Sequence, residues 1–314
     1  PYSIDGWRID VANMTGRLGD IDHNEDVRRT ILRTMRSINP DTVLLAESTN
    51  DATSDLQGDA WHGAMTYTPF TRPLWSWLSS PNGAEYRRGD GSSTTEPWFF
   101  GQPVGGIPKS TARGLADASI RFTAGIPWRV RLGTMQALDT HDTARFATNA
   151  APGTIPIAVG LSMTMPGLPV VFAGDEFGLT GTDGEDSRTP MPWGTESSPG
   201  VAERLALYRA LIGLRRAHPV LATGGMRWLL ADDDSLAFVR ESAEESVLVI
   251  ATTGSLDVAL AAGSLPGGGA GAFSTGDATL DAGDDGSAVI RAHGPAFAVW
   301  TLPGVVVPTA GTRR

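Results

Sequence analysis

Thr42-Val43-Leu44-Leu45-Ala46-Glu47 is a short, almost wholly apolar run that ends on an acid. Successive residues of a strand point to opposite faces, so an apolar run of this kind fits a strand covered on both sides, as in a parallel sheet flanked by helices. The sequence before it agrees. Asn24 to Ser37 reads as a helix capped by Asn24, with Val27, Ile31, Met35 and Ile38 on one face and Asn39-Pro40 as its stop. Ahead of that helix, Gly6-Trp7-Arg8-Ile9-Asp10-Val11 reads as the end of another strand. Strand, helix and strand make a β/α unit.

The alternation continues downstream. Ala64 to Tyr67 is a weaker strand, Gly133 to Leu138 a further one, and Leu168 to Ala173 (LPVVFA) a clear one. Helical patterns fall at 110–124, 127–132 and 154–165, and Val201 to His218 is amphipathic until Pro219 ends it. Beyond residue 220 the helical period disappears. Short alternating runs at 226–231, 234–240, 246–253, 256–261, 287–292 and 296–302, separated by turns such as Pro266-Gly267-Gly268-Gly269, predict an all-β antiparallel sandwich. The expected division is therefore 1–219 for an α/β domain and 220–314 for a β domain. Residues 79–107 are rich in Gly, Ser and Pro and too long for a simple connection, which marks them as a functional lid or a partly disordered segment.

Composition narrows the function. With 314 residues, 41% hydrophobic and 19% charged, the chain has material for a sizeable core. Cys is 0, which excludes a disulfide scaffold. A net charge of -10 repels phosphate backbones, so nucleic acid is not the expected partner, and no apolar run approaches the length of a membrane span. A neutral ligand fits better.

The informative acids stand at strand ends. Asp10 follows the first strand, Glu47 the second, His141-Asp142 the fourth and Asp175-Glu176 the fifth. In a parallel β/α barrel these ends converge on one rim, where catalytic groups collect. Two carboxyls flanking a glycosidic bond suffice for its hydrolysis, one protonating the leaving oxygen and the other attacking the anomeric carbon. Arg8 lies two residues before Asp10 and so on the same face, where a guanidinium favours an ionised carboxylate. The apolar residues ahead of Glu47 suit a group that holds its proton.

At these residues a family resemblance emerges. Gly6-Trp7-Arg8-Ile9-Asp10-Val11-Ala12-Asn13 resembles the strand-four motif of the α-amylase superfamily, glycoside hydrolase family 13. Leu44-Leu45-Ala46-Glu47 is similar to its strand-five motif, and Leu138 to Arg145 (LDTHDTAR) to its strand-seven motif. Gly167 to Glu176 (GLPVVFAGDE) and Arg188 to Trp193 (RTPMPW) are similar to the strand-eight segment and the stretch after it. The resemblance implies the C-terminal part, strands four to eight, of a (β/α)8 TIM barrel followed by an all-β antiparallel domain. It implies Asp10 as nucleophile oriented by Arg8, Glu47 as acid and base, and Asp142, beside His141, as the third carboxylate gripping the distorted sugar. It also implies a retaining mechanism on α-1,4-glucosidic bonds, with α-1,6 bonds compatible, in maltodextrins, cyclodextrins, pullulan or starch.

Departures from the pattern matter. Asn13-Met14 stands where many amylases carry Lys-His, which is closer to the neopullulanase, cyclomaltodextrinase and maltogenic amylase branch. Thr140 replaces the Asn common before the His-Asp pair. The strand-three motif is absent, so the expected partner besides an α-glucan oligosaccharide is an N-terminal fragment of the same enzyme carrying strands one to three. A homo-oligomer is compatible with this. A transglycosidase, a sucrose- or trehalose-type isomerase and a non-catalytic binding barrel are the competing assignments.

Aromatic residues complete the expected site. Trp61, Tyr67 and Trp193 fall near strand ends and are read as pocket lining, Trp75 and Trp77 as packing, and Trp98 to Phe100 as equally suited to either. No cofactor is required for this chemistry. The family's structural calcium is compatible with the fold, but its ligands are not identifiable in this chain. The acidic run Asp183-Gly184-Glu185-Asp186 reads as a solvated turn, and Asp232-Asp233-Asp234 as a hairpin turn.

Overall fold

The computed structural model describes residues 4–80 and 107–304. Trp98, Phe99 and Phe100 lie outside the described residues. The first part of the chain runs through β1 (Gly6–Ile9), the two-residue strands β2 (Arg17–Leu18) and β3 (Ile21–Asp22), α1 (Asn24–Arg36), β4 (Val43–Ser48), β5 (Gly63–Thr66) and α2 (Thr71–Leu78). It continues through α3 (Ala112–Arg121), α4 (Trp128–Leu132), β6 (Met135–Ala137), α5 (Phe146–Asn149), α6 (Ile155–Thr164), β7 (Leu168–Val170), α7 (Pro199–Ala217) and α8 (Val220–Thr223).

β1, β4 and β5 form a parallel sheet in that order, and β6 pairs with β7, also in parallel. The two sheets abut through glycines. A Cβ on Gly63 would sit 2.0 Å from the Gly133 carbonyl oxygen, so only glycine allows the strand entering β6 to come so close. Within the first sheet Leu44 and Ala46 are buried, as expected for a strand with covered faces. Leu44 shares a core with Ala12, Leu32, Leu56, Trp61 and Val130.

α1 departs from its expected detail in two ways. Its cap is His23, and Asn24 instead donates its side-chain amide to the carbonyls of Ala12 and Thr15, both at 2.8 Å. Its most buried stripe is Asn24, Arg28 and Leu32 rather than the Val27–Ile38 face, and Ile38 is 85% exposed. A polar network accounts for the rotation. Arg28 donates to Asn24 and to Asp55, and so ties the helix to the loop that follows β4.

Past α8 the chain is all β: β8 (Gly225–Ala231), β9 (Ser235–Glu241), β10 (Glu245–Thr252), β11 (Ser255–Leu260), β12 (Ala270–Ala282) and β13 (Ala288–Pro303). Rather than two separate sheets, these strands hydrogen-bond as one six-stranded antiparallel sheet with buried residues on both faces. Leu236, Phe238, Val247, Val249, Phe297 and Val299 face the helices of the first part, whereas Ala237, Val239, Leu248, Ile250 and Ala298 point into a second core. That is strict period-two alternation. α6, buried from Ile157 to Thr164, fills the space between β6, β7 and this sheet. Arg240 anchors the contact: its buried guanidinium donates to the carbonyls of Thr164, Leu221, Gly224 and Gly225.

Two strand assignments differ from the sequence reading. β13 is continuous over Ala288–Pro303, where the sequence reads as two separate runs, 287–292 and 296–302. At Gly294-Pro295 β13 changes neighbour, pairing with β11 up to His293 and with β10 from Ala296. β12 was not expected at all. Its small and polar residues are mostly exposed, and pairing with β13 along its length, with two register shifts, holds it in the sheet.

Candidate active site

Register explains why residues distant in sequence meet. Ile9 pairs with Ala46 and Glu47 pairs with Met65 in parallel strands. Arg8, Asp10, Glu47 and Met65 therefore share one face at the C-terminal ends of the strands. Arg8 exploits this with a fork: one guanidinium nitrogen meets Asp10 at 2.5 Å and the other meets Glu47 at 3.1 Å. One cation thus bridges both carboxylates, and the nitrogen that meets Glu47 also donates to the Met65 sulfur at 3.5 Å.

The two acids sit in different surroundings. The Asp10 side chain is 77% exposed, while that of Glu47 is 8% exposed. Glu47 does not occupy an apolar pocket as its preceding residues suggested. Its Oε1 faces Arg8, and its Oε2 accepts the Val11 backbone N–H at 2.7 Å. That N–H is aimed by an unusual backbone, because Val11 has φ 42° and is the one non-glycine residue with positive φ among the described residues. A β-branched residue in this region is strained, and such strain concentrates at functional sites.

Asp142 lies on the loop after β6 and is held by Arg188 and His141. Arg188 donates to Asp142 Oδ1 at 3.3 Å and to the His141 carbonyl at 2.8 Å, and His141 Nε2 lies 3.2 Å from Asp142 Oδ2. Arg188 was quoted in the sequence as part of a motif but not as a site residue. No local signal could reveal that its loop folds back onto Asp142.

Tyr67 joins the two halves of the site. Its hydroxyl is hydrogen-bonded to the Thr140 hydroxyl at 3.0 Å. Burial pushes the phenol up to about 12, and the charges of Asp142 and Glu47 add to the shift. The ring is 2% exposed, with the Arg72 guanidinium 5.7 Å from its centroid. Of the other expected residues, Trp193 is 73% exposed and packs edge-on against Phe177, leaving a ring face open. Trp61 is a correction: it is 2% exposed inside the Leu44–Val130 core and offers no surface to a ligand. Asn13 is half-buried in the loop after Asp10, its carbonyl taken by Arg17. Trp75 and Trp77 are buried, as read.

Asp183 to Asp186 forms a turn in which Asp186 accepts from Thr182. Among the described residues, no group of three or more His, Asp or Glu side chains is gathered to hold a metal ion. No helix among them is long and apolar enough to cross a membrane.

Comparison with known proteins gives a consistent result. No family model matches the chain. A cyclomaltodextrinase of Bacillus sp is 28% identical over 251 residues, covering 79% of this chain and 38% of that protein. Neopullulanase 2 of Thermoactinomyces vulgaris is 31% identical over 252 residues, covering 79% of this chain and 36% of that protein. The chain thus spans just over a third of the length of these relatives. Among solved structures, the debranching enzyme of Nostoc punctiforme shares the fold with a TM-score of 0.77 and 22% identity, over 96% of this chain and 58% of that one. The cyclic α-maltosyl-(1→6)-maltose hydrolase of Arthrobacter globiformis does so with a TM-score of 0.68 and 24% identity, over 96% and 56%. Its sequence motifs, its fold and these relatives together place the chain in the α-amylase family, glycoside hydrolase family 13, on the side of the cyclomaltodextrinases and neopullulanases.

Proposed function

We propose that the protein is a retaining glycoside hydrolase of α-glucans, cleaving α-1,4-glucosidic bonds in maltodextrins, cyclodextrins, pullulan or starch. The observation that carries this is the single Arg8 guanidinium between Asp10 and Glu47. Within its reach one carboxylate is open to a ligand and the other is buried, and such different surroundings suit two carboxylates to two roles. Asp10 attacks the anomeric carbon and Arg8 orients it. Glu47 delivers a proton to the leaving oxygen and later takes one from the incoming water. Asp142, braced by Arg188, holds sugar hydroxyls in the distorted ring, and the open face of Trp193 offers a stacking platform. Glycosyl transfer needs only that a second sugar reach the intermediate in place of water.

The five parallel strands are read as strands four to eight of a (β/α)8 barrel over residues 1–219, with residues 220–314 as the C-terminal β domain. Among the described residues β1 is paired on one edge only, by β4, and β7 only by β6. A partner carrying three more strands closes such a barrel. An N-terminal segment of the same enzyme fits that place, and it meets Trp7, 53% exposed, and Val11, 47% exposed.

Glu47→Gln tests the assignment. The variant is expected to lose turnover of maltooligosaccharides while melting like the parent protein, and unchanged activity contradicts it.

A further inference from the structure

Behind the rim, three buried ionisable side chains form a unit that the chemistry above does not use. Asp139 is 2% exposed, Asp175 5% and Arg145 1%. Asp139 Oδ2 accepts the Phe146 N–H at 2.6 Å, and Asp175 Oδ1 accepts from Arg145 at 2.7 Å. This leaves Asp139 Oδ1 and Asp175 Oδ2 as buried oxygens without a well-formed hydrogen bond, the Phe172 N–H lying near Asp175, and the two carboxyls are close neighbours. Two acceptor-only oxygens facing each other in the interior repel, whereas one proton between them turns the contact into a hydrogen bond. It also balances the charge: one carboxylate, one neutral acid, one guanidinium.

The surroundings assign the proton. Burial, then the Asp175 charge, pushes Asp139 well above the usual carboxyl range. Asp175 is raised by burial too, but Arg145 opposes the rise. From α7 the unit meets Tyr208, kept neutral by burial, and Arg204, with Glu176 beyond. The proton therefore resides on Asp139.

We propose that one proton shared by Asp139 and Asp175 makes them, with Arg145, a positioning unit for Asp142 and Arg188. The mechanical link is traceable. Asp139 and Phe146 clamp the ends of the loop that carries His141 and Asp142. Arg145, at the end of that loop, donates twice to the Ser187 carbonyl, at 3.2 and 2.9 Å, and once to the Ala173 carbonyl at 2.8 Å. Its guanidinium also lies 3.9 Å from the Phe172 ring centroid. Ser187 precedes Arg188, which reaches back to Asp142. Both sides of the Asp142 carboxylate thus hang from one buried point.

The proposal rests on the assignment of Asp142 to the reaction, and its test separates the two. Asp139→Asn imitates the neutral acid, with an oxygen for Phe146 and an N–H for Asp175. In the intact protein it is expected to keep kcat within about threefold of the parent, whereas Asp139→Ala and Asp175→Asn lower kcat by about tenfold or more with little change in KM. Asp139 is raised in the fold above its unfolded value near 4, so its contribution is full below about pH 4 and is lost as pH rises toward the folded value. That slope is expected in the parent and absent from Asp139→Asn in unfolding measured from pH 5 to 9. Asp139→Asn behaving like Asp175→Asn, or keeping the parent's slope, overturns the proposal. A parent protein inactive on every α-glucan overturns the assignment of Asp142 instead, and the slope alone then decides whether the proton is shared.

Discussion

Val11 donates its backbone N–H to Glu47 Oε2 at 2.7 Å from a left-handed conformation, φ 42°, that a β-branched residue rarely adopts. The loop after β1 is thereby committed to the acid at the end of β4. The surrounding structure holds the donor in place against local strain of about 1–3 kcal/mol, before any ligand arrives.

Val11→Gly accepts that φ without strain but frees the unfolded chain. These effects oppose each other, so its stability is expected within about 1 kcal/mol of the parent by thermal unfolding. Val11→Pro removes the N–H and cannot adopt the φ. It is expected to lose both stability and turnover, and parent-like activity in Val11→Pro excludes a role for this donor.

The Arg8 fork gives a second prediction. Lysine keeps the charge but has a compact head that cannot serve two carboxylates in a fixed plane. Arg8→Lys is therefore expected to lower kcat by about a hundredfold with a smaller change in melting temperature. Equal kcat in the two proteins removes the bridge from the account.

Tyr67 leads to a pH prediction. Its phenol is raised to about 12 from the usual 10. The neutral form's contribution to stability is thus complete below pH 10 and lost as pH rises through 12. No alkaline limb of activity below pH 10 is expected from Tyr67, and Tyr67→Phe should leave the profile in that range unchanged. Its stability should fall by about 1 kcal/mol for the lost Thr140 hydrogen bond. An alkaline limb that vanishes in Tyr67→Phe contradicts this.

Gly160 tests the packing that joins the two parts of the chain. A Cβ there lies 2.5 Å from the buried Phe297 ring. Gly160→Ala improves helix propensity in α6 yet is expected to destabilise by about 1–3 kcal/mol, because the ring has nowhere to move. A rise in melting temperature shows that the interface is looser than described.

Much of this architecture was legible in residue order. β4 announced itself because apolar residues on both faces leave little other choice, and Asp10, Glu47 and Asp142 stood at strand ends where register could bring them together. What could not be read was long-range. β12 carries almost no apolar signal of its own and owes its conformation to β13. Trp61 follows the polar loop 48–60 and resembles a rim aromatic, yet the sheet folds over it. Arg188 and the Val11 N–H act through contacts 46 and 36 residues away in the chain, for which no local pattern exists. The acids at 139 and 175 differ from those of the site only in depth, which periodicity does not report.

The central claim is that Asp10 forms the covalent bond and Glu47 moves the proton. The most direct measurement is peptide mass spectrometry of Glu47→Gln after reaction with an α-glucosyl fluoride, whose leaving group needs no acid. Slowed turnover of the intermediate is expected to leave one glucosyl unit on the peptide containing Asp10. A glucosyl unit on a different residue, or release of inverted product with no adduct, contradicts the account.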